Sequence, residues 1–158
     1  MDIDISTMIN RKLKILQSDL NKIALSKLPT VLKETMQQSI KESIYDKPSS
    51  WDRTWSFFNS VDSNTKINGN IISVSVFSNS SKMNPSHYSV VGSESYGLSA
   101  GDVVDNYMNS WLANGHGGLW DYSPLHNYVD FTYSMLISNK IHVKTVKNSL
   151  KQYGYTII

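Results

Sequence analysis

An apolar pattern in the N-terminal part of the chain constrains the fold more than any other feature. Between residues 6 and 27, apolar side chains recur at alternating steps of four and three residues, which places them on one side of an α-helix. A stripe of just over two heptads is short for a coiled coil, so we expect it to pack against a sheet of its own chain. Its members are Ile9, Leu13, Leu16, Leu20 and Ile23.

A proline interrupts this region at residue 29. Proline lacks a backbone N–H and disfavours helical geometry in the residue before it. Two interpretations remain open: one long helix is kinked at Pro29, or a second helix begins there with Pro29 in its first turn. Apolar residues at steps of four continue the helical pattern to about Tyr45, where a polar turn ends it. They are Leu32, Met36, Ile40 and Ile44.

An aromatic stretch follows between residues 51 and 61. It holds two of the four tryptophans and two of the four phenylalanines. Trp51, Trp55 and Phe58 are spaced as on one side of a helix, so we predict a short helix here, capped by Ser50. The guanidinium of Arg53 among these rings can stack on tryptophan or bind a carboxylate. An ion pair within the fold and a contact between subunits both remain open for it.

A β-hairpin is predicted next. Residues 71–77 alternate between two faces, with Ile72, Val74 and Val76 on one of them. The turn signal at residues 68–70, Asn-Gly-Asn, precedes this strand. We therefore expect the partner strand to run from Val61 to residue 66 or 67.

The C-terminal part is predicted to form two helices and a strand. Helical spacing covers residues 125–139 and 141–153, and Gly154 is suited to end the second helix. Residues 155–158 are rich in β-branched and aromatic side chains and predict a terminal strand added to the sheet. The second helix is expected to present an apolar face made of Val143, Val146, Leu150 and Tyr153.

These elements predict one α+β domain over residues 1–158. A long N-terminal helix packs on a small, mainly antiparallel sheet, and the C-terminal helices and a short strand complete the fold. The chain divides into a helical region (1–47), an aromatic box and hairpin (48–77), a polar insertion (78–124), and the C-terminal helices and strand (125–158). The insertion is rich in Ser, Asn, Gly and Tyr, and irregular segments of such length are usually functional or disordered.

Charge is distributed unevenly although the net charge is only +2. Residues 140–158 carry four lysines and no acidic residue. On a helix these lysines form either a solvated face, which can serve as an assembly surface, or a nucleic-acid contact with Tyr153 and Tyr155. No arginine and no known reader motif accompany them, which favours the first interpretation. The four are Lys140, Lys144, Lys147 and Lys151.

The residues give little support to catalysis or to a bound cofactor. The chain has no cysteine, which excludes disulfides, thiol chemistry and cysteine-based zinc sites. The best metal candidate is His116, Asp121 and His126, but their spacing matches no standard site, and roles in loops and helix caps explain them equally well. No serine-nucleophile motif is present. We expect no enzymatic activity, metal or cofactor, no signal peptide and no membrane-spanning segment.

Two short boxes resemble a known protein family. A box of the form Tyr-x-Arg-Thr-x-x-Leu-x-x-Ser-Ile/Val is matched after the helical region, with Trp in place of Tyr and Phe in place of Leu, and the closing Lys-x-x-Gly-Tyr-x-Ile pattern is matched at residues 151–157. Both resemble the tail-completion and head–tail joining proteins of tailed bacteriophages, which are neck or minor capsid proteins. The first box is matched by Trp51, Arg53, Thr54, Phe57, Ser60 and Val61.

The resemblance implies a structural role in a virion. Such subunits form a homo-oligomeric ring between the portal or connector and the tail, and they assemble in the host cytoplasm. Their partners would be further copies of the chain and the portal, connector and tail proteins. DNA would be met only as it passes through the lumen of the ring. Trp55 and Phe58 would belong to the same structural box, while the insertion departs from the family pattern. A small metal-dependent hydrolase and a nucleic-acid-binding accessory protein are the alternative functions.

Overall fold

The N-terminal helical region forms one continuous helix in the computed structural model, which describes residues 4–46, 55–82 and 128–157. Helix α1 spans Ile5–Ile40 and passes through Pro29 without ending. Proline cannot donate to the carbonyl of Leu25, but Leu25 is exposed, so water can satisfy that oxygen. Because α1 continues on both sides of Pro29, the interpretation that a second helix begins at this residue is wrong.

A π-helical turn and a short helix connect α1 to the sheet. The turn spans Lys41–Tyr45, and the N–H of Asp46 donates to the carbonyl of Lys41 at 2.8 Å, a bond across five residues. Helix α2 spans only Ser56–Asn59. The predicted short helix is thus confirmed in a shorter form. Its N-cap is Trp55, so the predictions that Ser50 caps this helix and that Trp55 lies within it are wrong. Ser50 itself lies outside the described residues.

The predicted hairpin is confirmed with nearly the expected bounds. Strand β1 (Val61–Asn68) pairs antiparallel with strand β2 (Ile71–Ser78). The two-residue turn is formed by Gly69 and the asparagine after it, and Gly69 has φ 58°, a conformation that glycine adopts without strain. Alternate residues of β2 are partly buried, as the pattern predicted. This face lies against α1, where the hydroxyl of Thr65 donates to the carbonyl of Ala24 at 3.2 Å.

Two further helices pack on α1. Helix α3 spans Tyr128–Ser138 and helix α4 spans Ile141–Gln152, as predicted within the described residues. Gly154 ends α4 with φ 87°. The N–H of Tyr155 donates to the carbonyl of Leu150, and that of Gly154 donates to the carbonyl of Lys151, which together form a Schellman motif.

The predicted terminal strand is wrong over the part that the structure describes. Residues 155–157 form no strand, and β1 and β2 are the two strands of the sheet among the described residues. Gly154 turns the chain back toward α1, where the hydroxyl of Tyr155 donates to Oδ2 of Asp19 at 2.9 Å. A side-chain contact with the long helix therefore takes the place of backbone pairing with the sheet.

The core lies where α1, its π-helical turn, the hairpin and α3 meet. The hydroxyl of Ser39, fully buried on α1, donates to the carbonyl of Tyr128 at 2.8 Å and fixes the start of α3 on the helix. Both strands and both C-terminal helices contact α1, which confirms an α+β fold organised around one long helix. The core cluster comprises Met36, Ile40, Ile44, Phe57, Val61 and Tyr128.

Candidate assembly surfaces

The buried part of the aromatic box joins the long helix to the sheet. The ring of Phe57 meets that of Tyr128 edge to face, with ring centroids 5.2 Å apart. The fully buried hydroxyl of Ser60 donates to the carbonyl of Phe57 at 2.7 Å, and Val61 begins β1 inside the core. These three side chains are covered by their own chain, so they position the elements around them rather than offer a contact to a partner.

The remaining described aromatics of the box reach the surface. The ring of Trp55 stacks on that of Tyr45, with centroids 4.2 Å apart and planes 9° from parallel. Phe58 meets both rings edge to face. Trp55 has φ 59°, a costly conformation for a bulky residue, and its side chain is 42% exposed. The rings of Tyr45, Trp55 and Phe58, here called the aromatic triad, thus form a surface patch next to the π-helical turn.

Three predicted members of the box have no described position. Trp51, Arg53 and Thr54 lie outside the described residues. The two open interpretations of Arg53, an ion pair within the fold and a contact between subunits, therefore stay predictions. The polar insertion from residue 83 onward also lies outside them, and so do His116, Asp121 and His126. Among the residues that the structure does describe, no cluster of three or more His, Asp or Glu side chains could hold a metal ion.

The four C-terminal lysines lie exposed along α4 and at its start. Their spacing of four, three and four residues places them on one side of the helix, here called the lysine face. None of them takes part in the ion pairs found among residues 4–46, 55–82 and 128–157. The face consists of Lys140, Lys144, Lys147 and Lys151.

The apolar face predicted for α4 is only half right. Leu150 is buried and Val146 is partly buried, as expected. Val143 and Tyr153 are exposed, and Ser149 is buried in their place. The helix therefore contacts α1 through a stripe that includes small polar residues.

The first half of the apolar stripe on α1 is exposed, against expectation. Burial begins at Leu16, and the stripe is fully covered only at Ile23. Before that point the helix extends beyond the sheet and the C-terminal helices, so the prediction that the whole stripe packs on its own sheet is wrong. We call residues 5–15 the α1 tip. Its exposed stripe, the tip stripe, consists of Ile5, Met8, Ile9 and Leu13, each more than half exposed.

A groove opens beside α3, near the other end of α1. It has a volume of about 380 Å³. Met36 and Tyr128 form its floor and are both buried, and this burial raises the pKa of the Tyr128 hydroxyl. We call this surface the α3 groove. Its walls are β2, through Val76 and Phe77, and α3, through Val129, Tyr133 and Leu136.

An ionic cluster holds the end of the hairpin to α1. Asp62 on β1 binds Nζ of Lys82 at 2.7 Å and Nζ of Lys33 on α1 at 3.6 Å. The amide of Asn79 also donates to Asp62, at 3.3 Å. The hydrogen bonds from Lys82 and Asn79 hold the pKa of the Asp62 carboxyl well below its ordinary value of 3.8.

This lowered pKa predicts an acid-sensitive contribution to stability. Because the folded pKa of Asp62 lies below the unfolded one, its stabilising effect is complete above about pH 5 and is lost progressively as the pH falls toward the folded pKa. We expect Asp62→Asn to unfold more easily than the wild type near pH 7. Between roughly pH 5 and pH 3 its free energy of unfolding should fall less steeply.

Urea unfolding at a series of pH values measures this difference. Asp46→Asn, at an exposed position, controls for the loss of one negative charge. Equal pH slopes for the wild type and Asp62→Asn would contradict the assignment.

The described helices set a limit on the class of protein. None of those in residues 4–46, 55–82 and 128–157 is long and apolar enough to cross a membrane. The fold thus defines an α+β protein built around one long helix, with an apolar tip, an apolar groove and a basic face on its surface.

A family model named YomN matches residues 9–152, and the chain belongs to this family. Searches of curated proteins and of solved structures both found no match.

Sequence reasoning identified some of these surfaces and missed others. The lysine face follows from regular spacing in one helix, and the tip stripe follows in the same way, although its exposure does not. The α3 groove gave no signal, because Met36, Val76 and Tyr128 are far apart in the chain. Tyr45 was missed as a partner of Trp55, since the π-helical turn that places it leaves no recognisable spacing.

Proposed function

We propose that this protein is a structural subunit of a phage virion neck, and that it forms a ring joining the head to the tail. The ring would contact the portal or connector on one side and the tail on the other, and the protein would have no enzymatic activity. The observation that carries this proposal is the tip stripe: four large apolar side chains stand in water on a helix that extends beyond the body of the subunit. Contiguous apolar surface of this kind marks a site of association.

The distribution of the surfaces supports a ring rather than a closed pair. The tip stripe, the α3 groove and the lysine face differ in shape and charge, and they lie on different elements. Contacts between unlike surfaces are heterologous, and they generate a ring when the rotation between neighbours closes. A subunit that also meets a head protein and a tail protein needs several distinct surfaces of this kind.

The resemblance to head–tail joining proteins supplies the virion context. The matched box positions Phe57, Ser60 and Val61 form the junction between the long helix and the hairpin. All three side chains are buried, so a role of the box in the folding of the subunit accounts for the phenylalanine, serine and valine found there. The aromatic triad beside them, with Trp55 exposed, is available for contact with a neighbour.

Assembly with isolated virion parts tests the proposal. The purified protein would be mixed with portal, connector and tail-tube preparations, and binding followed by co-sedimentation and negative-stain electron microscopy. We expect ring-shaped particles and retention on one of these parts. Leu13→Gln should weaken assembly, whereas Leu25→Gln, at a similarly exposed leucine outside the tip stripe, should not. A protein that stays monomeric and binds none of the three parts would refute the proposal.

The lysine face favours a second candidate, a nucleic-acid-binding accessory protein. Four exposed lysines on one side of a helix that contains no acidic residue form a positive surface suited to phosphates. Titration of a fluorescent DNA duplex at several salt concentrations tests it. Binding should weaken steeply with salt and should fall when Lys144 and Lys147 are both replaced by glutamine. Absent or salt-insensitive binding would exclude this function.

A further inference from the structure

We infer that the tip stripe of one copy binds in the α3 groove of the next copy, and that this is the contact that propagates the ring. The inference rests on the proposed function for the ring itself. The contact, however, involves two copies of this chain and no other virion protein. It assigns a partner to the tip stripe and to the α3 groove.

The length of α1 excludes the same contact within one copy. Ile9 and Met36 lie on one continuous helix, 27 residues apart. At 1.5 Å per residue they are separated by roughly 40 Å along the helix axis. The tip stripe therefore cannot reach the groove of its own subunit, so a tip stripe bound in that groove comes from a second copy.

The groove suits a helix with the spacing of the tip stripe. Side chains four residues apart project from one side of a helix, which places Ile5, Ile9 and Leu13 in a row. The groove offers an open apolar channel between a strand and a helix, with exposed apolar groups on both walls, among them Phe77 and Val129. An amphipathic helix laid in an apolar groove is a common mode of recognition, and its anchors have this spacing.

Charge favours this contact over pairing of two tips side by side. The tip carries Arg11, Lys12 and Lys14, all exposed, and parallel pairing of two tips would bring these like charges together. Helix α3 carries one charged residue, the acidic Asp130, beside the groove wall. A basic tip entering a groove next to a carboxylate avoids the repulsion.

Symmetry gives a second reason to reject pairing of two tips. A contact between identical surfaces closes at two copies and leaves nothing to continue a ring. The tip stripe and the α3 groove are unlike surfaces on one subunit, so each bound copy leaves one of each free for the next. A head-to-tail series of this kind ends only when the ring closes.

Mixing two damaged variants tests the contact. Leu13→Glu places a charge on the tip stripe, and Tyr133→Glu places one on the groove wall. Each variant alone should lose self-association, because every contact then includes one damaged surface. Mixed together, the intact groove of the first should bind the intact tip of the second and give a heterodimer by sedimentation velocity. Leu25→Glu and Ile71→Glu, at exposed apolar positions outside both surfaces, should assemble like the wild type.

Cross-linking extends the test to weak association. Because the natural sequence has no cysteine, Leu13→Cys and Tyr133→Cys can be labelled without background. A short bis-maleimide should join the two mixed variants and leave a mixture of Leu13→Cys with Ile71→Cys unjoined. In the sedimentation experiment with the glutamate variants, the dissociation constant for self-association should rise about tenfold or more for either variant.

The outcomes separate this contact from the function. Cross-links between two copies of Leu13→Cys, or self-association of Tyr133→Glu alone, would overturn the inference in favour of paired tips. A mixture of the two glutamate variants that stays monomeric while the wild type associates would also overturn it. A wild type that stays monomeric over the full concentration range, together with a mixture of Leu13→Cys and Tyr133→Cys that does not cross-link, would overturn it as well. The assay contains only this protein, so binding to portal or tail proteins can fail while the contact between copies is present. Conversely, the contact between copies can be absent although the protein binds portal or tail proteins.

Discussion

Ile40→Ala is expected to lower the free energy of unfolding by about 2–5 kcal/mol. Ile40 lies in the last turn of α1 and is fully buried at the centre of the core cluster, among side chains from the sheet, α2 and α3. Truncation removes three carbon atoms and leaves a cavity between elements that are all anchored to α1, so the surroundings have little freedom to collapse. Urea unfolding monitored by tryptophan fluorescence measures the change.

Ile71→Ala is the matched control for this prediction. It makes the same substitution on β2 at a position that is 68% exposed, and it should change the free energy of unfolding by less than about 0.5 kcal/mol. A loss at residue 40 as small as that at residue 71 would mean that the core does not lie where α1, the hairpin and α3 meet.

The elements that the sequence predicts best are those specified by residues close together in the chain. The alternation in residues 71–77 and the Asn-Gly turn signal give both strands of the hairpin. Gly154 marks the end of α4 because an ending in the left-handed region favours glycine. In each case the residue types required by local geometry are adjacent in the sequence, so no knowledge of distant contacts is needed.

The errors arise where a distant contact decides the outcome. Pro29 is compatible with the start of a helix or with a position inside one, and packing along α1 determines which occurs. Residues 155–157 have β propensity, but the hydrogen bond between Tyr155 and Asp19 links positions 136 residues apart. Helical periodicity likewise shows which side of α1 is apolar and not what covers it, so the exposure of the α1 tip could not be predicted.

The candidate surfaces follow the same division. The lysine face and the tip stripe are regular patterns within one helix and can be read directly. The α3 groove combines side chains from α1, β2 and α3, and the ionic cluster of Asp62 combines α1, β1 and the residues after β2. Such sites depend on tertiary packing between distant residues, which local sequence patterns do not reveal.

Phe57→Ala is expected to lower the free energy of unfolding by about 3–5 kcal/mol, whereas Phe57→Leu should lower it by less than about 1.5 kcal/mol. The ring of Phe57 is buried and packs edge to face on Tyr128, so alanine removes both the buried area and the contact that holds α3 near the hairpin. Leucine restores most of the volume and is the residue type found here in the resembling box. Phe131→Ala, at an exposed phenylalanine on α3, is the control, and urea unfolding is the measurement.

These Phe57 variants also separate the two roles that the box can have. If the box builds the subunit, assembly should follow stability: Phe57→Leu should associate like the wild type under conditions where it is folded, and Phe57→Ala should lose fold and association together. If the box contacts a neighbour directly, Phe57→Leu would instead remain folded and fail to associate. Phe57 is covered by its own chain, whereas Trp55 of the aromatic triad is exposed, so we expect the first result at residue 57. By the same reasoning, substitution of Trp55 should weaken association without lowering stability, because its ring stacks on Tyr45 and remains partly exposed.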